Sequence, residues 1–346
     1  MTDNQEVVEE ESQQPQKNTT LRKRLFGIAQ VVVSVALLAW LLNRVGLREV
    51  AQQFATMNLW LYLAAILVFL LSVWIRAWRW KMVLTPLKTD AGIWYLTRLY
   101  LLGFFWNSFL PTGFGGDVIR AVALAGESKH GTEAATSVVA ERIIGLLGTC
   151  LIAIGVLLIW PRIISFEWFL LTLVICLGIV AGGWFLRLDL LNWTAEHLPF
   201  LRKIVQHPKV VELHEAVRTY DLRTILLTTA TSIPFTIVFI LTNWLIGLSL
   251  DVHIAPRYYA IFTPIVSVVN LLPLSFNGIG VREYMYDLLF VPVGVSSQQA
   301  VTMALAFNLM RIITGTLGGL LSLLTGMKSM LKPAAAVTPS DTDIPA

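Results

Sequence analysis

Long apolar runs separated by short polar segments dominate the chain. Six runs have the ~17–25 residues with which a helix crosses a bilayer. They cover residues 25–42, 59–75, 137–160, 166–186, 225–248 and 300–324. Of the 346 residues, 56% are hydrophobic and only 14% are charged, which is more apolar surface than a soluble domain buries. The pattern predicts an all-α polytopic membrane protein with about six full spans.

Two further apolar stretches, residues 94–125 and 258–290, are interrupted in the middle. Each contains an asparagine, then proline and glycine, and then an arginine. Proline removes a backbone donor, and glycine tolerates backbone angles that helices do not use. The predicted helix-break residues are Pro111, Gly113, Gly115, Gly116, Pro273, Gly278 and Gly280. We predict a re-entrant helical hairpin in each stretch, with two ordinary short helices in each as the alternative.

The basic residues predict which loops face the cytoplasm, because short cytoplasmic loops are rich in lysine and arginine. Residues 76–88 are assigned to such a loop, and so is the basic linker at residues 187–224. On this assignment the first hairpin enters from the cytoplasm and the second from outside. Residues 59–160 and 225–324 then form an inverted repeat, a plan in which transporters bind substrate near the bilayer midplane.

The two ends of the chain differ from the apolar middle. Residues 1–20 are polar and acidic, and residues 331–346 are rich in proline and alanine, so both are predicted to be disordered tails. The integral membrane domain is predicted over residues 21–330. Basic residues before the first span place the amino terminus in the cytoplasm, and Lys328 and Lys332 place the carboxyl terminus there.

Charged and amide side chains lie within or beside the apolar runs, where a charge costs ~2.5–3.5 kcal/mol on insertion scales. Arginine binds phosphate oxygens through two parallel hydrogen bonds, and broken helices expose amide donors that suit anions. We therefore predict a central charged cavity between the two hairpins. Its predicted substrate-binding residues are Asn107, Asp117, Arg120, Glu141, Arg142, Asn270, Asn277, Arg282, Glu283 and Arg311.

The same residues have a structural alternative. The charged ones would form salt bridges that hold the helices together, and Asn107 and Asn270 would cap helix ends at the breaks. Asp117 and Arg120 are three residues apart and share a helix face. Glu141 is adjacent to an arginine that points to another face, so at least one of that pair is expected to bind another segment.

Other classes of function find no support in the sequence. The formal net charge of +4 is too small to indicate a nucleic-acid partner. Cys150 and Cys176 lie in apolar runs and indicate neither a disulfide framework nor a zinc site. The glycines at residues 113–116 form neither a phosphate-binding loop nor a dinucleotide fingerprint. No metal and no cofactor is predicted.

The interrupted motifs, together with Glu141-Arg142 and the element Arg76-Ala-Trp-Arg79-Trp80, resemble the transmembrane region of the lysylphosphatidylglycerol synthase (multiple peptide resistance) family. The resemblance covers about residues 20–330. In the full-length synthases this region is the lipid flippase, and a separate soluble domain transfers the amino acid. Few residues follow the last span here, so that domain is expected to be absent. The resemblance implies a stand-alone, flippase-like protein of the plasma membrane without synthase activity.

The preferred function is a lipid translocator that moves a phospholipid or lipid-linked head group between leaflets as one repeat rocks against the other. The alternative is a secondary transporter of a small anionic solute, with Asp117, Glu141 or Glu283 coupling protons. An intramembrane enzyme is disfavoured, because the spans lack a metal-ligand cluster and a Ser–His pair. A homo-oligomer and a separate enzyme that makes the lipid are left open as partners.

Overall fold

The computed structural model describes residues 14–109, 115–128, 131–160, 166–187, 211, 214, 218–270 and 275–324, and this part of the chain is helical without strands. Its α-helices are α1 (Gln14–Val45), α2 (Leu47–Ala55), α3 (Leu59–Leu84), α4 (Ile93–Asn107), α5 (Gly115–Ser128), α6 (Gly131–Ile159), α7 (Phe166–Arg187), α8 (Leu222–Ala230), α9 (Ser232–Ser249), α10 (Pro256–Val269), α11 (Val281–Phe290) and α12 (Ser297–Leu324). Short 3-10 turns occupy Thr85–Leu87, Phe276–Gly278 and Val291–Val293. The prediction of an all-α polytopic membrane protein is confirmed.

Five segments of the described chain are long and apolar enough to cross a membrane. They are Gly27–Val45, Leu59–Leu87, Glu133–Ile159, Leu222–Ser249 and Ser297–Leu324. Each overlaps a predicted span, and the remaining predicted span, residues 166–186, coincides with α7. The total of six full spans stays a prediction.

The two largest differences from the predicted element boundaries are at the start of α1 and at the end of α3. Helix α1 begins at Gln14, inside the predicted tail, while residues 1–13, most of the linker and residues 331–346 lie outside the described chain. Helix α3 continues to Leu84, so the prediction of a loop from residue 76 is wrong. The helix continues because its inner face stays apolar through Trp80 and Val83, which are fully buried.

The helices on either side of each break are short. Helices α4 and α5 have 15 and 14 residues, and α10 and α11 have 14 and 10. At ~1.5 Å per residue they are about 15–22 Å long, less than the ~30 Å hydrocarbon core. These lengths favour re-entrant hairpins over ordinary spans, and the inverted orientation of the two hairpins stays a prediction.

Helices of the two predicted repeats interleave. Helix α4, from the first repeat, packs against α12 at the end of the second, and α10, from the second, packs against α6 at the end of the first. The spans that precede the two hairpins, α3 and α9, pack against each other. The contacts therefore come in the matched pairs that two repeats related by a two-fold axis produce.

Four phenylalanine rings from four helices meet at the centre of the molecule. Phe69 of α3 lies 5.9 Å, centroid to centroid, from both Phe104 of α4 and Phe307 of α12. Phe239 of α9 lies 5.5 Å from Phe307. Such separations are typical of favourable aromatic pairs. The cluster fixes the spacing of these helices around the cavity described below.

Helix α12 approaches α4 closely because the side that faces α4 is built of glycine. Gly315, Gly318 and Gly319 lie against residues 101–105. A methyl group on Gly318 would overlap the main chain of Leu101. Small residues let helix backbones come together and gain van der Waals contact that lipid does not replace.

Replacing Gly318 with alanine is expected to destabilise the protein by about 1–3 kcal/mol, because an overpacked side chain forces helices apart. The matched control is Gly155→Ala on α6, where a methyl group meets no atom within 4 Å. Melting temperatures of both variants in one detergent measure the effect. If Gly318→Ala has the same melting temperature as the wild type, the contact between α4 and α12 is looser than described.

Candidate functional site

A cavity of about 320 Å³ lies between the two hairpin breaks and is lined by residues of both. Nine of the ten predicted substrate-binding residues line it, together with two predicted helix-break glycines. They are Asn107, Asp117, Arg120, Glu141, Arg142, Asn270, Asn277, Arg282, Arg311, Gly116 and Gly278. The chain thus brings the two sequence motifs, more than a hundred residues apart, to one place.

Glu283 does not line the cavity. The carboxylate is fully buried, where its Oε2 accepts the backbone N–H of Gly280 and its Oε1 accepts from Nδ2 of Asn308, both at 2.6 Å. The first of these contacts satisfies a free donor at the start of α11. Glu283 is therefore a capping residue in this structure, and its predicted contact with substrate finds no support.

The other predicted helix-break residues lie outside the cavity or outside the described chain. Gly115 begins α5, and Gly280 immediately precedes α11 with a positive φ of 84°. Neither residue lines the cavity. Pro111, Gly113 and Pro273 are not among the described residues.

The two hairpin breaks contact each other through asparagine. Asn107 Oδ1 accepts the N–H of Gly116 at 2.7 Å, which satisfies a donor in the first turn of α5. The side chain of Asn277 donates to the backbone carbonyl of Asn107 and so ties the second break to the first. Asn277 and Gly278 have φ values of 54° and 79°, a region that asparagine and glycine tolerate best.

Asn270 closes the helix before the second break. Its Nδ2 donates to the carbonyl of Val266 at 2.8 Å. Its Oδ1 is buried without a hydrogen-bond partner among the described residues. Asn270 therefore caps the end of a helix, as the structural alternative predicts, and also presents an acceptor without a described partner in the cavity wall.

Glu141 is the centre of a buried ion cluster that joins three helices. Arg79 donates to Glu141 Oε1 from Nε at 3.1 Å and from Nη2 at 2.6 Å, and Arg120 Nη2 lies 3.7 Å from Oε2. Arg79 Nη1 also donates to Ser232 Oγ at 3.1 Å. The three charged side chains are at most 6% exposed, so water competes little for these contacts.

Asp117 engages two arginines. Its Oδ1 accepts from Arg120 Nη1 at 3.1 Å, and its Oδ2 accepts from Arg142. The guanidinium of Arg120 also lies 3.6 Å from the ring centroid of Tyr100 and 4.2 Å from that of Trp80. The predicted shared helix face of Asp117 and Arg120 is confirmed. Both carboxylates that line the cavity are therefore held by arginine.

Three other cavity arginines, Arg76, Arg282 and Arg311, form no ion pair with any carboxylate of the described residues. The guanidinium of Arg76 lies 4.4 Å from the ring centroid of Phe235. The guanidinium of Arg282 lies 4.4 Å from the ring centroid of Phe307. Arg311 Nη1 donates to a backbone carbonyl at 3.4 Å. These contacts leave the three guanidinium groups without a salt bridge, while the buried carboxylate of Glu283 attracts Arg282 and Arg311 from beyond salt-bridge distance.

The cavity as a whole is positive. Six arginines and two carboxylates line it among the described residues, a formal excess of four charges. Residues 110–114 and 271–274, which belong to the breaks, contain no charged side chain. In the described chain no three His, Cys, Asp or Glu side chains are grouped to hold a metal. The arrangement suits an anion.

Sequence reasoning misses Arg76, Arg79 and Tyr100 as cavity residues. The two arginines stand at the end of a predicted span and were assigned to a loop. A signal was present, since Trp80 and Val83 continue the apolar pattern past them at helical spacing. Three residues apart, Arg76 and Arg79 then share the face of a longer helix.

Replacing Glu141 with glutamine is expected to destabilise the protein by about 3–5 kcal/mol, because the buried Arg79 loses its counter-charge and Arg120 keeps only Asp117. The matched control is Asp90→Asn, which removes a carboxylate that is 95% exposed and 3.9 Å from Lys81. An exposed pair contributes at most about 1 kcal/mol. Melting temperatures of the purified variants give the comparison, and an equal small loss for both would contradict the buried cluster.

Comparison with known proteins supports the likeness seen in the sequence. The family model described as "Lysylphosphatidylglycerol synthase TM region" matches residues 27–319, which include both hairpins and every cavity residue named above. No curated protein and no solved structure matches the chain. The family and the apolar helices fit an integral membrane protein with a role related to membrane lipids. The chain belongs to the lysylphosphatidylglycerol synthase transmembrane-region family.

Proposed function

We propose that the protein is a lipid translocator, which moves a phospholipid or lipid-linked head group between leaflets through the cavity between the hairpins. The acyl chains stay in the bilayer while the head group enters the cavity. The chain carries out no covalent chemistry in this proposal. The translocated lipid is made by a separate enzyme.

One observation carries the proposal: three arginines without an ionic partner line a cavity between broken helices of a membrane protein. Unpaired charges at membrane depth are costly and mark substrate pathways. The guanidinium group matches a phosphate geometrically, since two N–H donors align with two oxygens. A lipid phosphate supplies the direct ionic partner that these three arginines lack among the described residues.

The carboxylates have a different role from the free arginines. Asp117 and Glu141 hold Arg79, Arg120 and Arg142 in place and lower the positive potential on their side of the cavity. Neither carboxylate is free to bind an amine. The head group therefore interacts with the cavity mainly through its phosphate.

The proposal includes a location and an orientation. The protein lies in the plasma membrane, as the family resemblance implies, with both termini in the cytoplasm, as the basic residues before the first span and after the last one predict. The first hairpin then opens toward the cytoplasm and the second toward the outside, so each leaflet has one hairpin through which a head group reaches the cavity. Self-association is not needed for this path.

Purified protein in vesicles is expected to move a fluorescent phosphatidylglycerol between leaflets, measured by quenching the outer-leaflet dye. The Arg311→Gln variant is expected to slow this movement by about tenfold or more, because a charge-assisted contact to phosphate is lost. Arg311→Lys is expected to be intermediate, since lysine keeps the charge but not the two-pronged donor.

The matched control is Arg48→Gln, which removes an exposed positive charge that is not among the lining residues. It is expected to behave as the wild type. If neither fluorescent phosphatidylglycerol nor fluorescent phosphatidic acid moves faster than in protein-free vesicles, with the reconstituted wild type monodisperse and folded, the proposal is refuted.

A further inference from the structure

We propose that the head group bound in this cavity carries at least two negative charges on phosphate, as a lipid phosphomonoester or a diphosphate-linked lipid. The inference rests on the proposed function and specifies its substrate class. It separates this chain from translocators of cationic or zwitterionic head groups, which need a carboxylate for the amine.

Three arginines without a salt bridge line one cavity. Arg76, Arg282 and Arg311 come from three helices, and Arg311 lies near enough to the other two to be repelled by them and to Glu283 to be attracted by it. With Glu283 counted as one negative charge, two positive charges remain, and a ligand with a single negative charge would balance only one of them. A phosphomonoester carries a charge of about −1.5 to −2 at neutral pH, and a diphosphate carries more.

Two of the three arginines also have unsatisfied buried donors. The Nε atoms of Arg76 and Arg282 are buried without a hydrogen-bond partner among the described residues. Buried donors of this kind are rarely left unpaired in folded proteins. A phosphomonoester offers three terminal oxygens, one for each free arginine, whereas a phosphodiester offers two.

The carboxylates that line the cavity already bind arginines. An ammonium or lysyl head group needs an acidic partner in the cavity. Asp117 and Glu141 are the carboxylates among the described lining residues. Each of them already lies within salt-bridge distance of two arginines. A positive head group would also add to an existing formal excess of four charges.

The test is an equilibrium titration of the full-length protein in a neutral detergent with short-chain lipids. The probes are dioctanoyl phosphatidic acid, dioctanoyl phosphatidylglycerol and dioctanoyl phosphatidylethanolamine. Phosphatidic acid, the phosphomonoester, is expected to bind about tenfold or more tightly than the other two. The Arg311→Gln variant is expected to lose most of this preference, and Arg48→Gln to retain it.

The three ligands can be compared on the wild-type protein alone. The inference therefore stays testable even if the Arg311→Gln variant fails to fold. Equal binding of phosphatidic acid and phosphatidylglycerol would overturn it. The proposed function would survive that result if the vesicles still moved phosphatidylglycerol. Tighter binding of phosphatidylethanolamine would also overturn it.

Inorganic pyrophosphate in competition with phosphatidic acid separates a lipid from a soluble anion. Weak competition supports a lipid phosphate, because the acyl chains then contribute to binding. If pyrophosphate binds as tightly as phosphatidic acid and the vesicles move no lipid, the site for a polyanion is supported. The lipid translocator is then refuted in favour of a carrier of a soluble anion.

Discussion

The cost of holding guanidinium groups away from water governs this structure. Arg311 lies near the middle of a 28-residue spanning helix, where an uncompensated charge costs ~2.5–3.5 kcal/mol on insertion scales. Asp117 and Glu141 offset that cost for the three arginines beside them. Aromatic faces and one backbone carbonyl offset it only in part for the other three. The cavity therefore remains short of negative charge, and an anion that enters it relieves the strain.

The hairpin breaks determine where in the protein this excess of positive charge lies. Irregular backbone at membrane depth is tolerated only where protein covers it or where it lines a cavity. Each break uses asparagine to satisfy the polar groups it frees. Asn107 accepts the N–H of Gly116, and Asn277 donates across to the carbonyl of Asn107. The same contacts that make the breaks tolerable bring the two motifs together, so the arginine after each break reaches one cavity.

The sequence predicts most of this site because the motif that breaks a helix occurs in it twice. Proline and glycine beside asparagine mark where helices end, and charges in apolar runs mark what must be sheltered. Spacing alone does not separate Arg282, which lines the cavity, from Glu283, which turns away to cap Gly280. Nor does it place the end of α3, because Arg76 resembles the first residue of a basic loop until the burial of Trp80 shows that the helix continues. The presence and order of the helices are predictable, whereas helix ends and side-chain partners depend on contacts between distant segments.

The packing limits how such a cavity opens to each side. Rocking of one repeat against the other, the movement suggested by the repeat pattern, would separate α4 from α12, where Gly318 lies directly on the main chain of Leu101. It would also separate α10 from α6. Among the described residues, a hydrogen bond from Asn277 to Asn107 joins the two breaks, and a bond of this kind contributes about 0.5–1.5 kcal/mol. The helix contacts are closer, since no methyl group fits between Gly318 and Leu101. Rocking of a whole repeat in the proposed translocator would therefore have to separate the most closely packed helices, which makes these contacts the main energetic obstacle to that movement.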